Sequence, residues 1–150
     1  MSVVAHNRIE IFHGVNLDML GRRPAEHYGN FTLEELEVRI KRFARELGLE
    51  PRFFHTNHEG EFVEHLHRLG EIADGAIINA GAWTHYSYAI RDALELSGIP
   101  AVEVHISDID AREEWRRHSV LDGLVIGRVS GEGPDGYRRA LEMLRERLTG

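Results

Sequence analysis

The feature that most constrains this chain is an alternation of short apolar runs with segments of helical spacing. Ile9 to Phe12 reads as a first strand. Thr32 and Glu35 then form a capping box, with Thr32 as N-cap. Leu33, Leu36, Ile40, Phe43, Ala44 and Leu47 follow as one helical stripe that Gly48 stops. Pro51 to His55 reads as a second strand and Glu61 to Leu69 as a helix. Gly75 to Asn79 is a third strand, of the buried type, and Tyr86 to Leu96 a helix. Ala101 to His105 and Leu124 to Val129 are a fourth and a fifth strand, and Pro134 opens a last helix running to about Leu148. Five strands interleaved with helices predict an α/β fold with a parallel sheet covered on both faces. The simplest layout is a flavodoxin-like three-layer sandwich in the order 2-1-3-4-5. A chain of 150 residues fits a single domain over its whole length. The longest stretch without periodicity, His13 to Phe31, is read as a disordered loop or a working lid.

Composition narrows the chemistry. There is no cysteine, so disulfides, thiolate catalysis and cysteine-based zinc sites are excluded. A formal net charge of −7 argues against a nucleic-acid partner. No apolar run is long enough to span a membrane, and Met1 to Arg8 has no apolar signal core. The expectation is a cytoplasmic protein. Only Lys41 among the basic residues is a lysine, and it falls on the polar face of its helix as a solvated charge. Schiff-base chemistry, which needs a lysine, therefore has one poor candidate. The ten histidines lack metal-ligand spacing, no His-Glu-x-x-His occurs, and no metal site is expected. His6, His27, His65 and His67 read as surface histidines.

In open α/β sheets ligands bind beyond the carboxyl ends of the strands. Polar groups follow each strand in turn: His13-Gly14-Val15-Asn16, then Thr56-Asn57-His58-Glu59, then Asn79-Ala80-Gly81-Ala82-Trp83-Thr84-His85, then Glu103-Val104-His105-Ile106-Ser107. Arg112, Arg116 and Arg117 come next. Their convergence predicts a site for a small polar, carboxylated metabolite. The segment Gly131 to Gly136 matches a dinucleotide fingerprint in the wrong place. It reads as a turn that could still line the pocket floor. Arg22 and Arg23 stand near Tyr28, where positive charge would favour a phenolate. The residues alone nevertheless favour Tyr28 as an ordinary loop aromatic.

Taken together, the chain resembles type II 3-dehydroquinate dehydratases from about Ile9 to Tyr137. The resemblance is carried by Leu20-Gly21 with Arg23 and Tyr28-Gly29, by Asn57-His58-Glu59-Gly60-Glu61, and by Asn79-x-Gly81-Ala82-x-Thr84-His85. It continues in Arg91-Asp92-Ala93, Glu103-Val104-His105-Ile106-Ser107 and Arg116-Arg117-His118-Ser119. It implies cofactor-free removal of water from 3-dehydroquinate through an enolate, in aromatic biosynthesis (the shikimate pathway) or quinate catabolism. By the same resemblance Tyr28 is the base, helped by Arg23, and Asn16 stabilises the enolate. His105 is the general acid, oriented by Glu103. Asn79, Ile106 and Ser107 hold the substrate carboxylate, while His85 and Arg116 bind ring hydroxyls. Asp92 reaches the site from a neighbouring subunit, supported by Arg112. The family assembles as homo-oligomers, trimers joined into dodecamers.

The chain departs from the family at His13 and Val15, where Asn and Pro are usual, and at Asp108 and Asp110, where Asn and His are usual. Asp108, next to Ser107, is expected to repel an anionic substrate unless an arginine compensates. Two other readings stay open: a divergent paralogue acting on a related cyclic hydroxy-keto acid, and a non-catalytic flavodoxin-like binding module. A flavin-binding protein has only the coarse fold in its favour.

Overall fold

A computed structural model describes residues 6–149, so residues 1–5 of the Met1 to Arg8 segment lie outside the described part. Five parallel strands form one sheet in the order 2-1-3-4-5. They are β1 (Arg8–His13), β2 (Glu50–His55), β3 (Gly75–Asn79), β4 (Ala101–His105) and β5 (Gly127–Ser130). The helices are α1 (Ala25–Tyr28), α2 (Leu33–Glu46), α3 (Glu59–His67), α4 (Leu69–Ile72), α5 (Tyr88–Ser97) and α6 (Asp135–Thr149). Among the described residues no helix is long and apolar enough to cross a membrane.

The central strands are buried on both faces, which is why they read as continuous apolar runs. Alternate residues feed two cores. Ile9, Ile11, Val102 and Val104 meet Leu36 and Ile40 of α2 and Leu141 and Leu144 of α6. Phe12, Ala76 and Ile78 meet Phe62 and Leu66 of α3 and Ile90 and Leu94 of α5. Each such Val, Leu, Ile or Phe side chain contributes about 1.5–3 kcal/mol on burial. Strand β2 lies at an edge, pairing with β1, and there Pro51 costs no ladder bond on its open side. The Thr32–Glu35 capping box forms in both directions, at 3.2 and 2.9 Å, and α2 ends at Leu47 with Gly48 at φ 74°.

Four expectations need correction. The last strand covers Gly127–Ser130, not Leu124 to Val129. Leu124 and Val125 both bond back to the Leu121 carbonyl in a turn. They are apolar because they pack on the second core, not because they are extended. The helix expected from Tyr86 begins at Tyr88, because Ser87 is its cap and accepts the Ile90 N–H at 3.1 Å. The helix expected over Glu61 to Leu69 begins at Glu59 and breaks at Arg68. His65 is not a surface histidine. It stacks on Phe54 with ring centroids 3.8 Å apart and bonds the buried Glu10 carboxylate at 2.7 Å.

Candidate active site

The segment from His13 to Phe31 is ordered. A 3-10 turn at Leu17–Met19 and the short helix α1 fold it over the carboxyl end of the sheet, where Leu17, Leu20 and Tyr28 join the first core. Gly14 and Gly81 set the floor. A Cβ on Gly14 would lie 2.4 Å from the Ala80 carbonyl carbon, and one on Gly81 would lie 2.5 Å from the Val15 oxygen. Gly81 also has φ 62°, a left-handed conformation that glycine adopts without strain. The loops after β1 and β3 therefore touch backbone to backbone, sealed by the Gly14 N–H donating to Asn79 O at 2.7 Å.

Above this floor lies a cavity of about 180 Å³. Its polar lining is Asn16, Arg23, Tyr28, Asn79, His85, His105, Ser107 and Arg116, and its apolar lining includes Val15, Leu17, Ile106, Ile109 and Trp115. Residues at or following the ends of three strands, β1, β3 and β4, meet there, at the carboxyl edge as expected for such a sheet. Among the described residues no cluster of three or more His, Asp or Glu could hold a metal.

At one end Tyr28, 7% exposed, accepts hydrogen bonds from Arg23 at 2.7 Å and Arg112 at 2.5 Å. The Arg23 guanidinium also lies 3.8 Å from the ring centroid. Burial, with the charges of Arg116 and Arg112, pulls Arg23 below the usual guanidinium range, against the opposing pull of Tyr28. The second arginine at this oxygen is Arg112 and not Arg22, which is exposed. Sequence proximity suggested Arg22. Arg112 arrives from 84 positions away, and it also reaches Ser107 Oγ at 3.4 Å.

At the other end His105 Nε2 donates to Glu103 Oε2 at 2.5 Å. Glu103 is fully buried and also accepts from Thr84 at 2.6 Å and from Ser119 at 2.9 Å. Burial pushes this carboxyl up, but the bond and charge of His105 and the two hydroxyl donors outweigh it. The net position is below the usual carboxylate range. Thr84 and Ser119 lie inside the motifs that carry the resemblance, yet nothing in the sequence pairs them with Glu103.

Asn79 is fixed from both sides. Its Oδ1 accepts the Gly81 N–H at 3.1 Å and its Nδ2 donates to Tyr137 Oη at 3.3 Å. Tyr137 is completely buried, and that burial pushes its hydroxyl up to about 12, so it is a neutral anchor. His85 Nδ1 donates to the His118 carbonyl at 2.7 Å, leaving Nε2 as the free acceptor. Burial, then the charges of His105 and Arg116, lower His85 from the ordinary imidazole value despite the His118 bond. Arg116 stacks on Trp115 at 4.1 Å, and Trp115 also meets His85 edge-on at 5.2 Å. The wall formed by Trp115 went unpredicted, because an aromatic in a polar loop carries no periodic signal.

Glu103 and Arg112 act from behind the lining, on His105 and Tyr28, and the other expected participants stand outside this cavity. Asp92 is exposed on α5 beside Tyr88 and Arg91, so the chain does not bring its own Asp92 to the site. Asp108 does not face the cavity. Its carboxylate caps the turn at Ile109–Ala111 by accepting the Asp110 N–H at 3.1 Å. The Gly131–Gly136 segment does not line the floor either. Its Gly131 N–H bonds the His105 and Ser107 carbonyls, bracing β4 from behind.

The chain is similar to known proteins over nearly its whole length. Residues 7–145 match the family model described as Dehydroquinase class II. A 3-dehydroquinate dehydratase of Syntrophotalea carbinolica is 50% identical over 135 residues, 89% of this chain and 91% of that protein. One of Thermotoga neapolitana is 50% identical over 139 residues, 93% of this chain and 94% of the relative. The crystal structure of a type II dehydroquinase from Butyrivibrio crossotus superposes with a TM-score of 0.90 at 39% identity. It covers 94% of this chain and 99% of its own.

Proposed function

The chain belongs to the class II dehydroquinase family, and from that premise we propose that it removes water from 3-dehydroquinate to give 3-dehydroshikimate. One observation carries the reading. A phenol oxygen between two guanidiniums and an imidazole seated on a buried carboxylate face the same cavity. The first can take a proton and the second can give one, which is what an elimination requires.

In this reading Tyr28, as phenolate, takes the proton next to the ring ketone. Arg23 and Arg112 stabilise the charge on its oxygen before that transfer. The electrons of the broken C–H bond move onto the ketone oxygen as an enolate, which Asn16 steadies. His105, positively charged and held by Glu103, gives its proton to the leaving hydroxyl. The enolate collapses, the C–O bond breaks, and water and a conjugated enone leave. Asn79 with the backbone of Ile106 and Ser107 receives the carboxylate, and His85 and Arg116 receive ring hydroxyls.

The chain works, in the same reading, as a cytoplasmic homo-oligomer of trimers joined into a dodecamer. Exposed Tyr86, Tyr88 and Leu96 around Asp92 support a subunit contact on that face. That contact delivers Asp92 to a neighbour's cavity. The test is the rise of enone absorbance when purified protein meets 3-dehydroquinate, with and without an exhaustive chelator. Turnover unaffected by the chelator is expected, and tight binding without turnover would instead select a non-catalytic binding module.

A further inference from the structure

Asn16 is the one non-glycine residue with positive φ among the described residues, at φ 69° and ψ 6°. Asparagine tolerates that region better than other non-glycine residues, and its surroundings can fix it there. The turn that follows supplies part of the hold, since Met19 N–H donates to Asn16 O at 3.0 Å. The rest comes from Asn57. Its Oδ1 accepts the Asn16 N–H at 2.8 Å and its Nδ2 donates to Asp18 Oδ2 at 3.1 Å. One carboxamide therefore grips the turn on both sides of Leu17. The two partners also fix which way it points, because an N–H must meet the oxygen and a carboxylate must meet the nitrogen.

Asn57 is itself anchored. The preceding Thr56 is buried, and its N–H bonds the His13 carbonyl at the end of β1 at 3.3 Å. Its hydroxyl donates to Glu61 at 2.5 Å and accepts the His58 N–H at 3.0 Å. The grip on Asn16 is thus referred to the sheet and to α3. Asn57 does not line the cavity, whereas Asn16 does. On the far side Asp18 Oδ1 stands 3.7 Å from His55 Nε2.

We infer that Asn57 is a positioning residue that holds the Asn16 main chain in its left-handed conformation and so aims the Asn16 side chain at the reacting ring. This rests on the reading of Asn16 as the group that steadies the enolate. An aimed side chain acts on the rate of the chemical step, and small misplacements there are costly.

The enone assay on the full chain tests it. Asn57→Ala is expected to lower kcat about tenfold, with KM within about threefold of wild type and no matching loss of Tm. In an Asn16→Ala background the same substitution is expected to cost no further kcat, because the side chain it aims is gone. Asn57→Asp places two carboxylates together and is expected to lose kcat as well. Adding Asp18→Asn then restores it, since the new amide donates to the new carboxylate, which still accepts the Asn16 N–H. If Asn16→Ala is impaired but Asn57→Ala is not, or if the two losses simply multiply, the positioning role is wrong. An unrescued charge swap overturns it too, and serves even where Asn57→Ala folds poorly. Wild-type kcat in Asn16→Ala would instead remove the reading of Asn16 itself, and with it the need for any aiming.

Discussion

The two ends of the cavity are built on different foundations. Tyr28 comes from the four-residue α1, and its oxygen is held by two side chains, Arg23 and Arg112. Glu103 and His105 belong to β4, which has a neighbour on each side in the sheet, and they are tied into a buried network with Thr84 and Ser119. A group placed by a strand ladder and buried hydrogen bonds shares in the stability of the fold. The ring of Tyr28 packs in the first core, but its hydroxyl is held only by two arginine side chains outside the sheet, so that hydroxyl contributes little to that stability. Catalysis and stability should therefore separate at the Tyr28 end and coincide at the Glu103 end.

Tyr28→Phe gives the largest expected effect. It should lower kcat by about 10²–10⁴-fold, the usual worth of general base catalysis, while a substrate-like inhibitor still binds and Tm hardly moves. A large loss of Tm would break the comparison. Glu103→Ala should lower kcat by about 10²-fold and also cost about 2–4 kcal/mol in urea unfolding. The reason is that three buried donors lose their acceptor at once. Glu103→Gln should recover part of that stability without recovering the rate, because an uncharged amide cannot stabilise the imidazolium. Ser119→Ala is milder, about 1 kcal/mol of stability with a severalfold lower kcat.

Asp108→Asn should leave KM within about twofold of wild type at low and high salt. The carboxylate is turned into its own cap, and an asparagine can make the same bond. A clearly lower KM would restore the repulsion expected from the sequence.

The smallest effect is on the pH dependence of stability, within the Glu103 end alone. His85 sits below its ordinary value of 6.5, chiefly through burial. The unfolded chain therefore takes up a proton there before the folded chain does, and this contribution to stability is present above pH 6.5 and lost as pH falls below it. Glu103 is also depressed, relative to 4.5, so its contribution is present above that pH and is lost only as pH falls through the folded value. A Tm-against-pH profile of His85→Asn should show a smaller higher-pH step, to which His55 (also lowered by burial) still contributes, and keep the lower one.

Much of this architecture was legible because it rests on local rules. The capping box at Thr32, the apolar run Gly75–Asn79 and the sheet order all follow from periodicity and connection rules. The fifth strand was misplaced because Leu124 and Val125 are apolar for packing reasons that a strand pattern imitates. In the site, motif resemblance located Tyr28, Asn79 and His105, and the structure brings them to one cavity. The partnerships were not legible. Arg112 with Tyr28, Ser119 with Glu103 and Tyr137 with Asn79 join positions far apart in the chain, and no spacing rule reaches across such loops.

The seam between Gly14 and Gly81 sets a boundary for anyone wishing to redesign this pocket. Two surfaces that meet through side chains can trade volume, one shrinking as the other grows. Main chain against main chain offers no such trade, because the Ala80 and Val15 backbones already occupy the space a first carbon would need. A larger ring acid must therefore be accommodated at the rim, where Val15, Ile109 and Trp115 present side chains that can be cut back. The floor will yield only if a whole loop is rebuilt.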